Sequence, residues 1–240
     1  MKNFKNYEFK LFNGETFFFK KLNNTFIPTA TTNYLLKAIF KNKLISGDTL
    51  DLGSGIGILG LILLKKNLIS GKLYASDISD NSILSLIQNS KDMFLDVEAR
   101  VGSLFDTWKD YKFNNIINDV SGISSRVAKF SPWFKNVACE TGEDGTLLTV
   151  KILKEASKYL NRNGLIYFPI ISLSNENKIL NSANKNFKNL KLIEKNDWPL
   201  PKEMYSFLDE LYQMKKDKLI DFEEKFGMVI ISTSIYVAHN

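Results

Sequence analysis

The sequence predicts an α/β fold in which a seven-stranded sheet carries helices on both faces. An apolar strand ends in a glycine-rich turn over residues 48–60, and the apolar run 58–64 has the spacing of a packed helix. A second strand, 71–77, ends in an acid roughly 20 residues after the glycines. Strand and helix patterns then alternate along the rest of the chain, as connections between neighbouring parallel strands require.

Length and composition indicate one globular domain over residues 1–240. Hydrophobic residues make up 44% and charged residues 24%, and no apolar run is long enough to span a bilayer, so we expect no membrane partner. Cys139 is the only cysteine, which excludes an intramolecular disulfide and favours a cytoplasmic setting. His239 is the only histidine and stands next to the last residue, so we expect neither a metal site nor a Ser-His-Asp triad.

The formal charge of +6 is concentrated in residues 1–43, which hold eight lysines, two glutamates and no aspartate. Such a segment is compatible with a nucleic acid, an acidic protein or an acidic small substrate. A solvated lysine-rich surface is the favoured interpretation, because the chain has few arginines and no compact basic run. The oligomeric state does not follow from these features.

The first 28 residues are expected to form a β-hairpin extension. Residues 7–12 and 15–20 have strand character, and Asn13-Gly14 between them is a hairpin turn signal. The threonines that follow, Thr29, Thr31 and Thr32, are suited either to cap the helix predicted over 33–40 or to lie over a bound ligand.

The glycine turn fits two kinds of cofactor, a dinucleotide and a cofactor with a methionine moiety. Its last three glycines, Gly55, Gly57 and Gly60, match the dinucleotide fingerprint, which is weak by itself. Asp51 separates the two, because a carboxylate before the turn repels a pyrophosphate and suits the ammonium of a methionine moiety. The free N–H groups at a helix N-terminus then provide a place for a polar part of the ligand.

The ends of the next two strands provide further candidates. Asp77 is expected to accept hydrogen bonds from two ribose hydroxyls, with Ile78 beside it, because Ser79 or Asp80 is available to cap the next helix. A third strand, 97–101, leads to the turn 102–106. There Ser103, Leu104 and Phe105 either contact an adenine ring or pack in the ordinary way at a strand end.

The fourth strand, 113–120, is apolar in the middle and polar at its carboxyl end, where ligands bind in open α/β sheets. Asn118 is suited to accept a hydrogen bond from a substrate N–H, and Asp119 to act as a base or to orient the substrate. The alternative is that both residues order the loop 121–125. The aromatic loop 130–134 is either a substrate wall or a cover for the core.

The remaining elements follow in order. A helix over 146–160 is expected to end at Asn163-Gly164 and to precede a buried strand over 165–171. A helix over 176–186, a strand over 190–196, a helical insertion over 198–227 and a last strand over 228–237 complete the chain. No internal repeat and no linker divides it.

Five segments together resemble the class I methyltransferases of the small-domain type, which use S-adenosylmethionine (SAM). They are Asp51-Leu-Gly-Ser-Gly-Ile-Gly57, Ser76-Asp77, Gly102-Ser-Leu-Phe105, Asn118 and Gly142-Glu-Asp-Gly145. The resemblance covers about residues 26–172, and the nearest branch is the release-factor glutamine methyltransferases.

The resemblance implies a Rossmann-like class I methyltransferase fold whose sheet is mostly parallel, with an antiparallel last strand, and it implies SAM as the cofactor. The implied catalytic residues are Asn118 and Asp119. The implied cofactor-binding residues are Asp51, Gly53, Ser54, Gly55, Gly57, Asp77, Ile78, Ser103, Leu104, Phe105 and Asn118.

One departure concerns the acceptor. The branch carries Asn-Pro-Pro-Tyr after its fourth strand, whereas this chain has Asn118-Asp119-Val120-Ser121. SAM binding is still expected, but methylation of a release-factor glutamine does not follow. The expected acceptor is a nitrogen or oxygen of a protein, a small molecule or an RNA. The alternatives are a non-catalytic SAM-binding scaffold and an NAD-dependent oxidoreductase.

Overall fold

The computed structural model describes residues 3–43, 45–120, 122–134, 137 and 139–240. The strands are β1 (Lys5–Lys10), β2 (Thr16–Lys21), β3 (Thr49–Leu52), β4 (Leu73–Asp77), β5 (Val97–Val101), β6 (Phe113–Asn118), β7 (Leu160–Ile171), β8 (Asn189–Pro199), β9 (Glu223–Lys225) and β10 (Met228–His239). The helices are α1 (Ala30–Asn42), α2 (Ile58–Lys65), α3 (Asp80–Asp92), α4 (Ser125–Ala128), α5 (Leu147–Glu155), α6 (Glu176–Asn186) and α7 (Leu208–Lys216).

Seven strands form a continuous sheet in the order β5-β4-β3-β6-β7-β10-β8. All neighbours from β5 to β7 pair in parallel, whereas β10 runs antiparallel to both β7 and β8. The predicted mostly parallel sheet with an antiparallel last strand is therefore confirmed. The short β9 adds an eighth strand, since Phe226 and Gly227, both at positive φ, turn the chain back onto β10.

Helices cover both faces of the sheet, as predicted. Because successive side chains of a strand point to opposite faces, Ile117 packs with α1, α2 and the N-terminal hairpin, whereas its neighbour Ile116 packs with α5 and α6. These two apolar layers hold the strands rigidly, so the polar residues at the strand ends have fixed positions.

The hairpin β1–β2 is a separate two-stranded sheet that is tied to the main body by side-chain amides. The amide of Asn89 on α3 accepts from Lys20 N (2.6 Å) and donates to the carbonyls of Lys20 (3.0 Å) and Ile56 (2.9 Å). The buried Phe9 and Phe19 pack in the same apolar layer as α1.

In two regions the element boundaries differ from the predictions by more than three residues. Asn163-Gly164 do not end a helix: α5 stops at Glu155, a short 3₁₀ turn follows, and both residues lie inside β7. The pairing of β6 with β7 shifts register there, so the turn-forming pair marks a bulge. Helix is also found only within 202–216 of the segment 198–227, because β8 continues through Pro199, which an edge strand tolerates.

Candidate active site

The candidate site lies at the carboxyl ends of β3, β4 and β6. These strands are neighbours in the sheet, and Leu52 at the end of β3 pairs with Ser76 on one side and Asn118 on the other. Side chains that follow these positions therefore meet at one edge, which is where open α/β sheets bind ligands.

The turn after β3 requires glycine for two different reasons. Gly53 and Gly57 have φ of 73° and 88°, and a Cβ would lie 2.5 Å from Val120 Cγ2 and 2.8 Å from Leu86 Cγ, respectively. At Gly55, with φ of 55°, nothing lies within 4 Å of an added Cβ. The turn is thus closely packed at Gly53 and Gly57 and open at Gly55, where space is available to a ligand. Ser54 is buried, and its Oγ has no partner among the described residues.

Asp51 is a buried carboxylate that is only half satisfied. Its Oδ2 accepts a hydrogen bond from the N–H of Gly60 (3.0 Å), which fixes α2 against β3. A Cβ on Gly60 would lie 2.7 Å from this oxygen, so the third glycine of the dinucleotide-like pattern is explained by close packing. The other oxygen, Oδ1, is buried without a partner in the described part of the chain.

The electrostatics of Asp51 favour a cationic ligand. The pKa of Asp51 is raised to about 7, mainly by burial; the Gly60 N–H lowers it in part, and the charges of Asp119 and Asp77 add to the rise. An orphaned buried carboxylate oxygen costs free energy until a donor reaches it. The ammonium of a methionine moiety is such a donor.

A pH dependence of stability follows from this pKa. A carboxyl whose folded pKa lies above its unfolded pKa binds more protons in the folded state, so the free energy of unfolding falls as pH rises from about 4 to about 7. The shift corresponds to a loss of up to roughly 4 kcal/mol. We expect Asp51→Asn to flatten this slope in urea unfolding of the ligand-free protein at pH 5 and 7.5. Equal slopes for the variant and the wild type would contradict the assignment.

Asp77 occupies the next strand end and already accepts two backbone hydrogen bonds. Its Oδ2 accepts from the N–H of Gly55 and its Oδ1 from the N–H of Ser79, both at 2.9 Å. Ser79 caps α3 by accepting from Ser82 N, so Asp77 is not used as the cap. The Ser82 side chain also hydrogen-bonds this carboxyl, and the acceptor capacity that remains on its two oxygens is available to ribose hydroxyls. Burial raises the pKa of this carboxyl.

The predicted adenine contacts divide into exposed and buried side chains. Ile78 is 76% exposed beside the turn, and Ser103 and Leu104 are half-buried. Phe105 is 1% exposed and stacks on Tyr159 with ring centroids 4.3 Å apart. Its ring belongs to the core, which corrects the expectation of a ring contact with the cofactor: Leu104, at φ of 48°, turns the chain so that the next side chain points inward.

Two substitutions separate these roles. Phe105→Leu is expected to lower the free energy of unfolding by about 1–3 kcal/mol, since it removes a stacked core ring, and to leave the affinity for S-adenosylhomocysteine unchanged. Ile78→Ala is expected to do the reverse, with affinity about threefold to tenfold weaker and stability within about 0.5 kcal/mol of the wild type. Urea unfolding and ligand titration measure both quantities. The opposite pattern would show that Phe105, and not Ile78, contacts the adenine.

The end of β6 provides the two candidate catalytic residues. The amide of Asn118 is fully buried: Oδ1 accepts from the N–H of Val120 (3.0 Å), and Nδ2 has no partner among the described residues. Asn118 thus orders the chain that follows it, as the alternative interpretation held, and still has an unused donor. Ser121, the fourth residue of the altered motif, lies outside the described residues.

Asp119 is anchored by the first helix. Its Oδ2 accepts a hydrogen bond from Thr32 Oγ1 on α1 at 2.6 Å, so Thr32 neither caps the helix nor points away from the site. The cap of α1 is Thr29, which accepts from Thr31 N. Burial raises the pKa of Asp119 to about 6, and the Thr32 hydroxyl opposes the shift.

A cavity opens directly beyond Asp119, and we call it the acceptor pocket. Its lining residues are Phe26, Thr29, Thr31, Thr32, Asp119, Val120, Gly122, Ile123, Trp133, Phe134, Pro169, Ile171 and Trp198. Trp133 and Phe134 of the aromatic loop form part of this wall. Phe26 and Trp198 were not predicted to line a pocket, because they come from segments far apart in the chain. Val120 both lines the pocket and approaches Gly53, so the pocket adjoins the glycine turn.

The described residues contain neither a candidate metal site nor a candidate membrane-spanning helix. No group of three or more His, Cys, Asp and Glu side chains in that part of the chain is placed to hold a metal ion. None of its helices combines the length and the apolar character needed to cross a bilayer.

Comparisons with known proteins agree with this geometry. Residues 28–119 match the family model of the methyltransferase small domain. The chain is 27% identical over 171 residues to a release factor glutamine methyltransferase of Thermodesulfovibrio yellowstonii, covering 65% of this chain and 61% of that protein. It is 28% identical over 184 residues to the corresponding protein of Flavobacterium psychrophilum, covering 70% and 63%. The match thus spans about three fifths of the length of these curated relatives.

Solved structures support the fold. The 16S rRNA N2 G1207 methyltransferase of T. thermophilus, in complex with AdoMet and guanosine, superposes with a TM-score of 0.63 at 12% identity, covering 99% of this chain and 51% of that one. The ribosomal protein L11 methylase of Lactobacillus delbrueckii subsp. bulgaricus gives a TM-score of 0.52 at 18% identity, covering 86% and 78%. At these identities the likeness concerns the fold alone.

Proposed function

We propose that this chain, whose residues 28–119 match the methyltransferase small domain, is a class I SAM-dependent methyltransferase that transfers a methyl group from SAM to a nitrogen or oxygen atom of an acceptor. One observation carries the proposal. The acceptor pocket, with the carboxylate of Asp119 in its wall, adjoins the glycine turn through Val120. A methyl donor on the turn and a nucleophile in the pocket would therefore meet at Asn118 and Asp119.

SAM is the cofactor of this family, and the residues at the strand ends fit it. The unpartnered oxygen of Asp51 suits its ammonium group, and the spare acceptor positions of Asp77 suit its ribose hydroxyls. The exposed Ile78 provides an apolar surface for its adenine. The open space above Gly55 lies between these groups.

The protein's part in the reaction is mostly positioning. SAM supplies a methyl group activated by its sulfonium, and in-line attack needs the nucleophile held close to that carbon. Asn118 is immobilised by its bond to Val120 and offers an unused N–H, which can orient the acceptor. Asp119 can accept the proton that the nucleophile loses. The apolar pocket walls exclude water from the reacting atoms.

The identity of the acceptor is not carried over from the relatives. Those named for release factors belong to a branch with Asn-Pro-Pro-Tyr, and this chain replaces both prolines and the tyrosine. A protein, a small molecule and an RNA each remain acceptors within the proposal. The same replacement is the one observation that favours the second candidate, a SAM-binding module without catalysis.

Transfer of tritiated methyl groups from SAM into fractionated cell extract tests the proposal. We expect label in at least one fraction with the wild type and with Asn177→Ala, which removes an exposed asparagine on α6. We expect a large loss with Asn118→Ala. If the protein binds S-adenosylhomocysteine but labels no fraction, the non-catalytic candidate replaces the enzyme.

A further inference from the structure

We infer that the acceptor is an aliphatic amine, which enters the acceptor pocket as an ammonium ion and leaves it methylated on nitrogen. The inference rests on the proposed function and narrows its acceptor to one chemical class. It follows from the charge of the pocket, the arrangement of its rings and its free hydrogen-bonding groups.

The charge of the pocket is negative. Asp119 is the only ionisable side chain among its described lining residues, and no lysine or arginine is among them. Asp51, whose pKa the charge of Asp119 raises, is acidic as well. A partly buried carboxylate without a cationic partner attracts a cation, and an ammonium group satisfies it by both charge and hydrogen bonding.

The aromatic rings are arranged as angled walls. Phe26 and Phe134 have centroids 5.2 Å apart with planes inclined by 38°, and Trp133 and Trp198 have centroids 5.6 Å apart with planes inclined by 65°. Neither pair forms a parallel slot that would sandwich a flat amide or base. Aromatic rings in a pocket wall attract a cation through their negative π clouds.

The hydrogen-bonding groups match an amine that has more than one N–H. Thr32 engages Oδ2 of Asp119, and no described residue donates to its Oδ1, which is left for the ligand. Thr31 lines the same pocket, and its buried Oγ1 has no hydrogen-bond partner in the described part of the chain. An ammonium group can therefore donate to Oδ1 of Asp119, and Thr31 adds a second unpartnered oxygen to the wall of the same pocket.

The chemistry balances without a further reagent. In an apolar cavity an ammonium–carboxylate pair shifts toward the neutral amine and the protonated acid, so the proton passes to Asp119. The freed lone pair forms the N–C bond as the S–C bond breaks, and the bonding electrons stay on sulfur. The products are a methylated ammonium, S-adenosylhomocysteine and the proton, which Asp119 releases to solvent. The raised pKa of Asp119 helps it to hold that proton.

Binding of small probes tests the pocket without turnover. Quenching of the fluorescence of Trp133 and Trp198 is measured with n-butylammonium and with pentanamide, an uncharged amide of similar length. We expect saturable quenching at concentrations at least tenfold lower for the ammonium. Asp119→Asn keeps the shape and an acceptor for Thr32, and it should abolish this preference. Asp80→Asn, an exposed control on α3, should not. Equal or tighter binding of pentanamide would overturn the inference.

The chemical class of the methylated product is the decisive readout. Labelled fractions from the transfer assay are digested with proteases or nucleases, and the products are separated as methylated amines, amides, nucleobases or esters. We expect the label in an amine, with Asp119→Asn slowing its formation at least a hundredfold while S-adenosylhomocysteine still binds. Label in an amide, base or ester refutes the amine but leaves the methyltransferase intact. No label in any fraction refutes both.

Discussion

Replacing Asp77 by alanine is expected to weaken binding of S-adenosylhomocysteine about a hundredfold or more. The carboxylate provides the acceptors for two ribose hydroxyls, and hydrogen bonds to a charged group contribute about 1.5–3 kcal/mol each. It also holds the N–H groups of Gly55 and Ser79, so its removal loosens the turn under the ligand. Titration calorimetry measures the affinity directly.

The matched control is Asp80→Ala, which removes the same charge from an exposed position at the start of α3. It should leave the affinity within about twofold of the wild type, because exposed charges are screened by solvent. If Asp77→Ala titrates like Asp80→Ala, the ribose does not lie at the end of β4.

Asn118→Ala is expected to lower the rate of methyl transfer by about 10²–10³-fold, a loss typical of a group that positions the reacting atoms. The side chain is fully buried at the end of β6, where Asn118 pairs with Leu52 just before the glycine turn, and its Nδ2 is uncommitted. The affinity for S-adenosylhomocysteine should fall much less than the rate.

The readout for Asn118 separates catalysis from folding. The variant loses its bond to Val120, so urea unfolding must show that it remains folded at the assay temperature. A normal transfer rate in a folded variant would remove Asn118 from the mechanism. The role of Asn118 would then be limited to ordering the chain after β6.

The sequence was sufficient for the sheet and for the glycine turn because both depend on local patterns. Gly53 and Gly57 need positive φ, and the strand between Phe113 and Asn118 is apolar enough to be identified as buried. The antiparallel direction of β10 followed only from the family resemblance, and its position between β7 and β8 was not predicted. No local pattern contains that information.

The acceptor pocket could not be predicted, because its parts meet only in the folded chain. The hydrogen bond from Thr32 to Asp119 joins residues 87 positions apart. Trp198 was expected at the start of the helical insertion 198–227, yet in β8 its indole donates to Thr233 Oγ1 and its ring contacts that of Trp133. Residue type alone could not place these rings in one cavity.

For Phe105 the sequence left two interpretations open, an adenine contact and ordinary packing at a strand end. An aromatic residue in the turn after the third parallel strand fits an adenine contact, and its actual direction depends on the positive φ of Leu104 before it. A leucine in that conformation is uncommon, so the sequence carried no signal of the change. The exposed Ile78 was assigned from its place in the motif alone.

We propose that the turn from Asp51 to Gly60 binds SAM and not a dinucleotide. Thermal unfolding of the wild-type protein with S-adenosylhomocysteine or with NADH tests it most directly. At a hundredfold excess over the dissociation constant, a ligand of the folded state adds about 2.7 kcal/mol, which raises the Tm of a chain of this size by roughly 5–10 °C. We predict that shift with S-adenosylhomocysteine and none with NADH. Stabilisation by NADH and none by S-adenosylhomocysteine would contradict the account.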